Sequence, residues 1–176
     1  PIVIAANKAD ISSEDNLDSL IKMSAIVTVA DYELALKNAS KAGLISYKSG
    51  DSNFQLSDPD KLNEGQKNAL QKIKDFIIIH GSTGVQECIE MAVLDKLGFI
   101  AVYPVEDETH YTDGQNRVLP DAFLLPKDST AIDLAYKVHS DIGDSFIRAI
   151  DCRSKRIIGK DYNLQDGDII KIVAGS

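Results

Sequence analysis

The first six residues of sequence pattern limit the fold more than anything after them. Residues 2–6 form a continuous apolar run rich in β-branched side chains, and Asn7-Lys8-Ala9-Asp10 follows without a spacer. A short run of this kind is the pattern of a strand buried on both faces of a parallel sheet. The polar quartet then stands at the carboxyl edge of that sheet, where open α/β folds bind ligands. Ser12 or Ser13 suits a helix N-cap, with Glu14 and Asp15 in the favoured first turn and Leu17, Leu20 and Ile21 on one face. Residues 25–30 (AIVTVA) predict a second strand and residues 32–42 a helix stopped by Gly43. Strand, helix, strand, helix over residues 1–45 is too little sheet to bury two faces. Together with an opening at Pro1 straight into a strand, this sets the expectation of a piece of a larger α/β domain.

Residues 46–63 are polar and turn-rich and read as a connecting segment with one short strand at most. Residues 63–78 return to helical spacing, with Leu62, Ala69, Leu70, Ile73 and Ile77 on one side. A second helix is predicted over 83–97, with Thr83 and Gln86 as a capping box, an apolar stripe of Val85, Ile89, Ala92, Val93 and Leu97, and Gly98 as its end. The period then changes to two. FIAVYPV and VLPDAFLLP flank a polar loop containing Asp113-Gly114 and predict a pair of strands. Ser129 or Thr130 caps a helix whose buried stripe is Ile132, Leu134, Ala135 and Val138, and DSFIRAID, KRIIG and DIIKIVA follow as strands. Strand pair, helix, then strands is the order of a β-grasp domain. The expected division is therefore 1–45, part of an α/β domain; 46–98, a linker and helical segment completing it; and 99–176, the β-grasp domain.

Composition removes several classes of function. Hydrophobic residues make up 44% of the 176 and no apolar run approaches the roughly 20 residues of a bilayer span, so neither disorder nor a membrane helix is expected. The net charge of -8 argues against coating nucleic acid by bulk electrostatics, so no DNA partner is expected and any RNA contact must be local. Residues 121–176 hold 8 basic and 9 acidic groups against 11 and 18 before them, which marks the two parts as different domains. Cys88 and Cys152 fall short of a disulfide framework and point to a reducing cytosol, hence a cytoplasmic protein. The separations of His80, His110, His139 and the two cysteines match no zinc spacing, so metal is not expected.

The chemistry lies in the quartet. An ionised carboxylate only accepts hydrogen bonds, and guanine presents two adjacent donors, N1–H and the exocyclic amine, that Asp10 can take together. The Lys8 stem can lie over a purine face, and the Asn7 amide can tie neighbouring loops. N-K-x-D alone also occurs as a solvated surface turn; its place after a buried strand favours the binding reading. GSTGVQE lacks the lysine and the spacing of a phosphate-cradling loop and reads as a helix cap.

PIVIAANKAD, AGLISY, HGSTGVQECI, VYPVEDE with its DG loop, VLPDAFLLPKDSTAIDLAYKVHSDIGDSFIRAID and DYNLQDGDIIKIV together resemble the C-terminal half of an Obg-related GTPase of the YchF type that ends in a TGS domain. The resemblance covers essentially the whole chain. It implies an α/β plus α+β architecture: the remnant of a P-loop GTPase (Rossmann-like) domain, a helical segment, then a β-grasp, ubiquitin-like TGS domain. It assigns guanine binding to Asn7, Lys8, Asp10, Val29 and Ala30, the last through a backbone N–H aimed at guanine O6. Many YchF-type members carry a variant base motif associated with ATP, whereas this chain keeps the lysine and aspartate expected for GTP. Val29 departs from the family, which usually places serine there. GTP is the implied ligand, with magnesium (Mg2+) expected only in the intact parent. No G-x-x-x-x-G-K-[ST] and no D-x-x-G switch occurs in the chain, so hydrolysis by it alone is not expected.

The same resemblance implies a ribosome or structured-RNA partner for the TGS domain. Arg148, Arg153, Lys155 and Arg156, with Lys160 and His139, are the candidate contacts, and a solvated hairpin face is the plainer account of them. Phe146 could stack on a base, although core packing suits it better. A sulfur-carrier role is set aside because such proteins act through a terminal Gly-Gly, and this chain reads Val173-Ala174-Gly175-Ser176. Two functions stay open: a nucleotide switch whose output is on the ribosome, or an RNA- or ribosome-binding adaptor with an inert G-domain remnant.

Overall fold

A computed structural model describes residues 1–175, which divide into two compact units, Pro1–Lys96 and a second from Leu97 onward. In the first unit, strand β1 (Ala5–Ala6) runs parallel to β2 (Ile26–Val27), with Ala5 opposite Ile26 and Ala6 opposite Val27. Helix α1 (Glu14–Lys22) forms the crossover between them. Helix α2 (Ala30–Lys41) follows, then an antiparallel pair, β3 (Ile45–Ser46) with β4 (Gln55–Leu56), and the long helix α3 (Glu64–His80). Helix α4 (Val85–Glu90) passes directly into a π-helical turn, Met91–Lys96. The main core packs Leu36 of α2 with Ile45, Phe54 and Leu62 and with Leu70, Ile73 and Ile77 of α3. A smaller cluster of Ala9, Val29 and Phe76 lies beneath the carboxyl ends of the two parallel strands.

Several local expectations change, each for a tertiary reason. The strand predicted over residues 2–6 shortens to Ala5–Ala6, and Ile2 is 83% exposed, because among the described residues β1 pairs with β2 alone. The strand predicted over 25–30 ends at Val27, since Val29 turns its N–H to the Thr83 carbonyl and α2 begins at Ala30. Helix α1 buries none of its residues fully, and Ile21 is exposed. The capping box expected at Thr83 and Gln86 does not form: the N-cap is Gly84, at φ 76°, and Thr83 spends its hydroxyl elsewhere. A capping box forms instead at Asn63 and Gln66, at the start of α3.

The second unit is a five-stranded mixed sheet. Its strands are β5 (Phe99–Val105), β6 (Phe123–Pro126), β7 (Phe146–Asp151), β8 (Arg156–Ile158) and β9 (Ile169–Ala174), in the order β6-β5-β9-β7-β8. β5 and β9 are parallel and the other neighbours antiparallel. Helix α5 (Ala131–Val138), opened by a capping box of Thr130 and Asp133, packs Leu134 onto Ile100, Val102, Ala149 and Ile170, and the short α6 (Ser140–Asp144) follows it. This is the β-grasp arrangement that the element order predicts. The long loop between β5 and β6 folds back so that Tyr111 and Leu119 pack on Val105, Cys152 and Ile169, covering part of the sheet face turned away from α5. Among the described residues no helix is long and apolar enough to cross a membrane.

Because Leu134 is completely buried and Ile147 is 61% exposed, Leu134→Ala should cost about 2–5 kcal/mol and Ile147→Ala less than about 0.5 kcal/mol. Urea unfolding followed by circular dichroism measures both. Equal losses would show that α5 is not what closes this sheet.

Candidate functional site

The site starts from a backbone problem at the ends of the two parallel strands. Lys8 takes the left-handed conformation at φ 63°, uncommon for a residue with a Cβ, and this turns the chain out of β1 into a single 3-10 turn, Ala9–Ile11. The turn buries Ala9 against Val29 and Phe76 and leaves Lys8 and Asp10 exposed on either side. Three hydrogen bonds stitch this loop to the one after β2. The Thr28 N–H donates to the Ala6 carbonyl at 3.0 Å, the Ala9 N–H donates to the Thr28 carbonyl at 3.3 Å, and the Ala30 N–H donates to Asn7 Oδ1 at 3.1 Å. The Asn7 amide thus joins the two loops that the sequence singled out.

The structure brings Asn7, Lys8, Asp10, Val29 and Ala30 to one edge, in two different roles. Asp10 and Lys8 present their side chains to solvent, whereas the Val29 side chain is 1% exposed and belongs to the core. Val29 therefore has no side-chain part in any ligand contact. The Ala30 N–H is already engaged by Asn7, so a ligand carbonyl must share or displace that bond. Behind Asp10 stands Tyr32, whose phenol is pushed up first by burial and then by the neighbouring Asp10 carboxylate. Tyr32 meets Phe76 edge-on, with ring centroids 5.5 Å apart, and Phe76 packs on His80 at 4.4 Å. An exposed carboxylate backed by an aromatic wall can accept two parallel donors from a flat heterocycle.

Sequence reasoning missed the groups that hold the second loop from the other side. The Val29 N–H donates to the Thr83 carbonyl at 2.9 Å, and the Thr83 hydroxyl donates to Glu33 Oε2 at 2.6 Å. Glu33, on the first turn of α2, is 5% exposed, and its Oε2 also accepts the Tyr47 hydroxyl at 2.7 Å. Burial alone would raise the Glu33 pKa; the hydrogen bonds from Thr83, Tyr47 and Ser49 and the charge of Lys37 outweigh it and hold the group below its ordinary value. The only sequence signal was Gly84, and its reason is now visible: a Cβ there would stand 1.9 Å from the Val27 carbonyl oxygen.

The basic residues of the second unit do not share one face. Register places Arg148 with Ile150 on the sheet face turned away from α5, while Arg156 lies opposite Asp151 on the face of Ala149 and Ile158, the α5 side. Lys155 is committed internally: its ammonium donates to the Glu108 carbonyl and lies 5.5 Å from the centroid of the Tyr111 ring, pinning the long loop. Arg153 is exposed in the turn between β7 and β8. His139 is the N-cap of α6, its Nδ1 accepting the Asp141 N–H at 3.2 Å. Phe146 packs against the core.

Comparison with known proteins agrees with this layout. Residues 5–107 match the G4 motif-containing domain of the YGR210-like Obg-like GTPases, and residues 114–174 match the TGS domain. The chain belongs to the Obg-like GTPases of this group. It is 51% identical over its whole length to an uncharacterised GTP-binding protein of Methanocaldococcus jannaschii, of which it covers 46%. The crystal structure of a GTP-binding protein from Pyrococcus horikoshii matches 99% of the chain at 42% identity with a TM-score of 0.72, the match covering 46% of that protein. A ribosome-binding ATPase, YchF, of Buchnera aphidicola is 37% identical over 79 residues, 35% of this chain and 21% of that protein. The chain thus spans about half the length of the first two.

The Thr83–Glu33–Tyr47 contact has a pH signature. Burial, followed by the bond to Glu33, pushes the Tyr47 phenol up from 10.0 to about 12. A raised phenol stabilises fully below its unfolded value and loses that contribution as pH rises through the folded one. The melting temperature should therefore fall between about pH 10 and 12, and Tyr47→Phe should flatten part of that fall. Thermal melts across this range decide it; identical profiles for both proteins would remove Tyr47 from the contact.

Proposed function

We propose that the chain is the guanine-reading and output portion of a GTP-binding protein of the Obg/YchF type. The observation that carries this reading is the Asn7–Ala30 hydrogen bond, which binds the two loops together while leaving Asp10 exposed at the carboxyl edge of the parallel strands. Asp10 accepts the guanine N1–H and exocyclic amine, the Lys8 stem covers the purine face, and Asn7 and the Ala30 N–H complete the rim. Adenine offers no such pair of donors to a carboxylate, so the Asp10 carboxylate would be desolvated without its partners against it. No residue of this chain is assigned to the phosphates or to magnesium.

Asp10→Asn replaces two acceptors by one acceptor and one donor, which complements xanthine in place of guanine. In the native full-length polypeptide the preference for GTP over xanthosine triphosphate should drop by about 10- to 100-fold. Competition binding with both nucleotides measures it, and an unchanged preference would remove Asp10 as the base reader.

The output reading places the TGS domain on the ribosome or a structured RNA. It is supported by the printed description of the Buchnera relative as ribosome-binding and by the exposed cations Arg148 and Arg153, with Arg156 and His139 as flanking candidates. Lys155 contributes by holding the adjoining loop. Binding through phosphates should weaken with salt, and reversing Arg148 and Arg153 to Glu should reduce the salt slope by roughly one unit per lost contact. Ribosome co-sedimentation at several salt concentrations tests this; equal pelleting of both proteins would leave these arginines as a solvated face. Ribosome binding that ignores bound nucleotide would favour the adaptor role.

A further inference from the structure

We propose that Thr83 is a positioning residue for base recognition: through Val29 and Glu33 it sets where the Ala30 N–H stands, and so governs discrimination at the purine 6-position. The inference rests on the guanine reading above and adds to it a residue outside both base-contacting loops.

The argument is one of constraint. Between β2 and α2 the N–H groups of Thr28, Val29 and Ala30 go to three different elements: the Ala6 carbonyl of β1, the Thr83 carbonyl, and Asn7 Oδ1. Asn7 alone would leave Ala30 tethered to a side chain that can rotate. The Thr83 carbonyl supplies the second anchor, and it cannot drift, because Thr83 is completely buried and its hydroxyl is bonded to Glu33 at 2.6 Å. Glu33 lies three residues beyond Ala30, within the first turn of α2, and is closed from the far side by Tyr47, whose oxygen also accepts the Gly50 N–H at 3.3 Å. Movement of residues 82–84 therefore moves both ends of the segment that carries Ala30.

The approach is fixed from below as well, since the Gly84 backbone is packed so closely on Val27 and Thr28 that no side chain fits. Val29 shows why the support comes from Thr83: its side chain is spent on the core with Ala9 and Phe76, so the loop is held through its backbone. As a stability element alone, the Glu33 contact is an unfavourable choice. The carboxylate is buried with Oε1 lacking a partner among the described residues, which costs free energy that an apolar pair would avoid. As a rigid stop for the Thr83 hydroxyl, a buried charged acceptor is well suited.

The test separates the two ends of the base. In the native full-length polypeptide, competition binding compares GDP with 6-thioguanosine diphosphate, which weakens the acceptor at position 6, and with inosine diphosphate, which lacks the amine read by Asp10. Thr83→Val should lower the preference for GDP over the thio analogue by about three- to tenfold, Thr83→Ser should restore it, and the preference for GDP over the inosine nucleotide should stay at the wild-type value in both. If Thr83→Val does not fold, Tyr47→Phe removes the other donor to Glu33 Oε2 and should shift the same ratio in the same direction by a smaller factor. An unchanged thio ratio, or two ratios that fall together, would overturn the inference, as would a wild type indifferent to the thio substitution. A wild type that does not distinguish GDP from the inosine nucleotide would instead overturn the guanine reading.

Discussion

The first unit depends on how the chain leaves β2. Thr28 and Val29 are buried at the end of a strand only two residues long, where solvent cannot take their N–H groups. Buried backbone donors must be satisfied, and here they are satisfied by β1 and by the turn before α4. That requirement brings residues 6, 28 and 83, far apart in the chain, to one point. The site is the surface of this junction: the same bonds that complete the backbone accounting orient Asn7 and leave Asp10 outside.

The division of labour within the site follows from burial. Ala9, Val29 and Phe76 form its floor and have no chemistry to offer a ligand; Lys8 and Asp10 rise from it exposed, Asp10 beside the Tyr32 phenol. A ligand bound there would replace water around the charged groups without opening the core. Glu33 is the converse case, a charge that the fold buries and surrounds with donors, and its depressed pKa shows that those donors outweigh the desolvation. Its contribution to stability is present above its ordinary pKa of 4.5 and is lost as pH falls through the lower folded value.

In the second unit the sheet register decides what the cations can do. Antiparallel pairing puts Arg156 opposite Asp151, and alternation puts Arg148 on the other face, so neighbours in sequence point to opposite sides. The loop between β5 and β6 takes Lys155 as its anchor, which spends on folding a charge that the sequence offered for binding. Arg148 and Arg153 remain exposed.

The local pattern of the sequence determined a good deal. An apolar β-branched run before Asn-Lys-Ala-Asp placed that quartet at a strand's carboxyl end, and alternation followed by one helical stripe and three more strands specified the β-grasp order. Such features depend on periodicity within one element, which a linear string displays. Tertiary structure alone decided that Thr83, which has the look of an N-cap, serves as a buttress, because its partner Glu33 is 50 residues away and nothing near Thr83 encodes that meeting. It likewise decided that Val29 belongs to the floor, that Lys155 anchors the loop between β5 and β6, and that Ile2 and Ile4 stay exposed ahead of a strand with a single neighbour among the described residues. In each case the outcome hangs on which group lies across a non-local contact, and a hydrogen bond or a buried face is settled by its partner as much as by the residue itself.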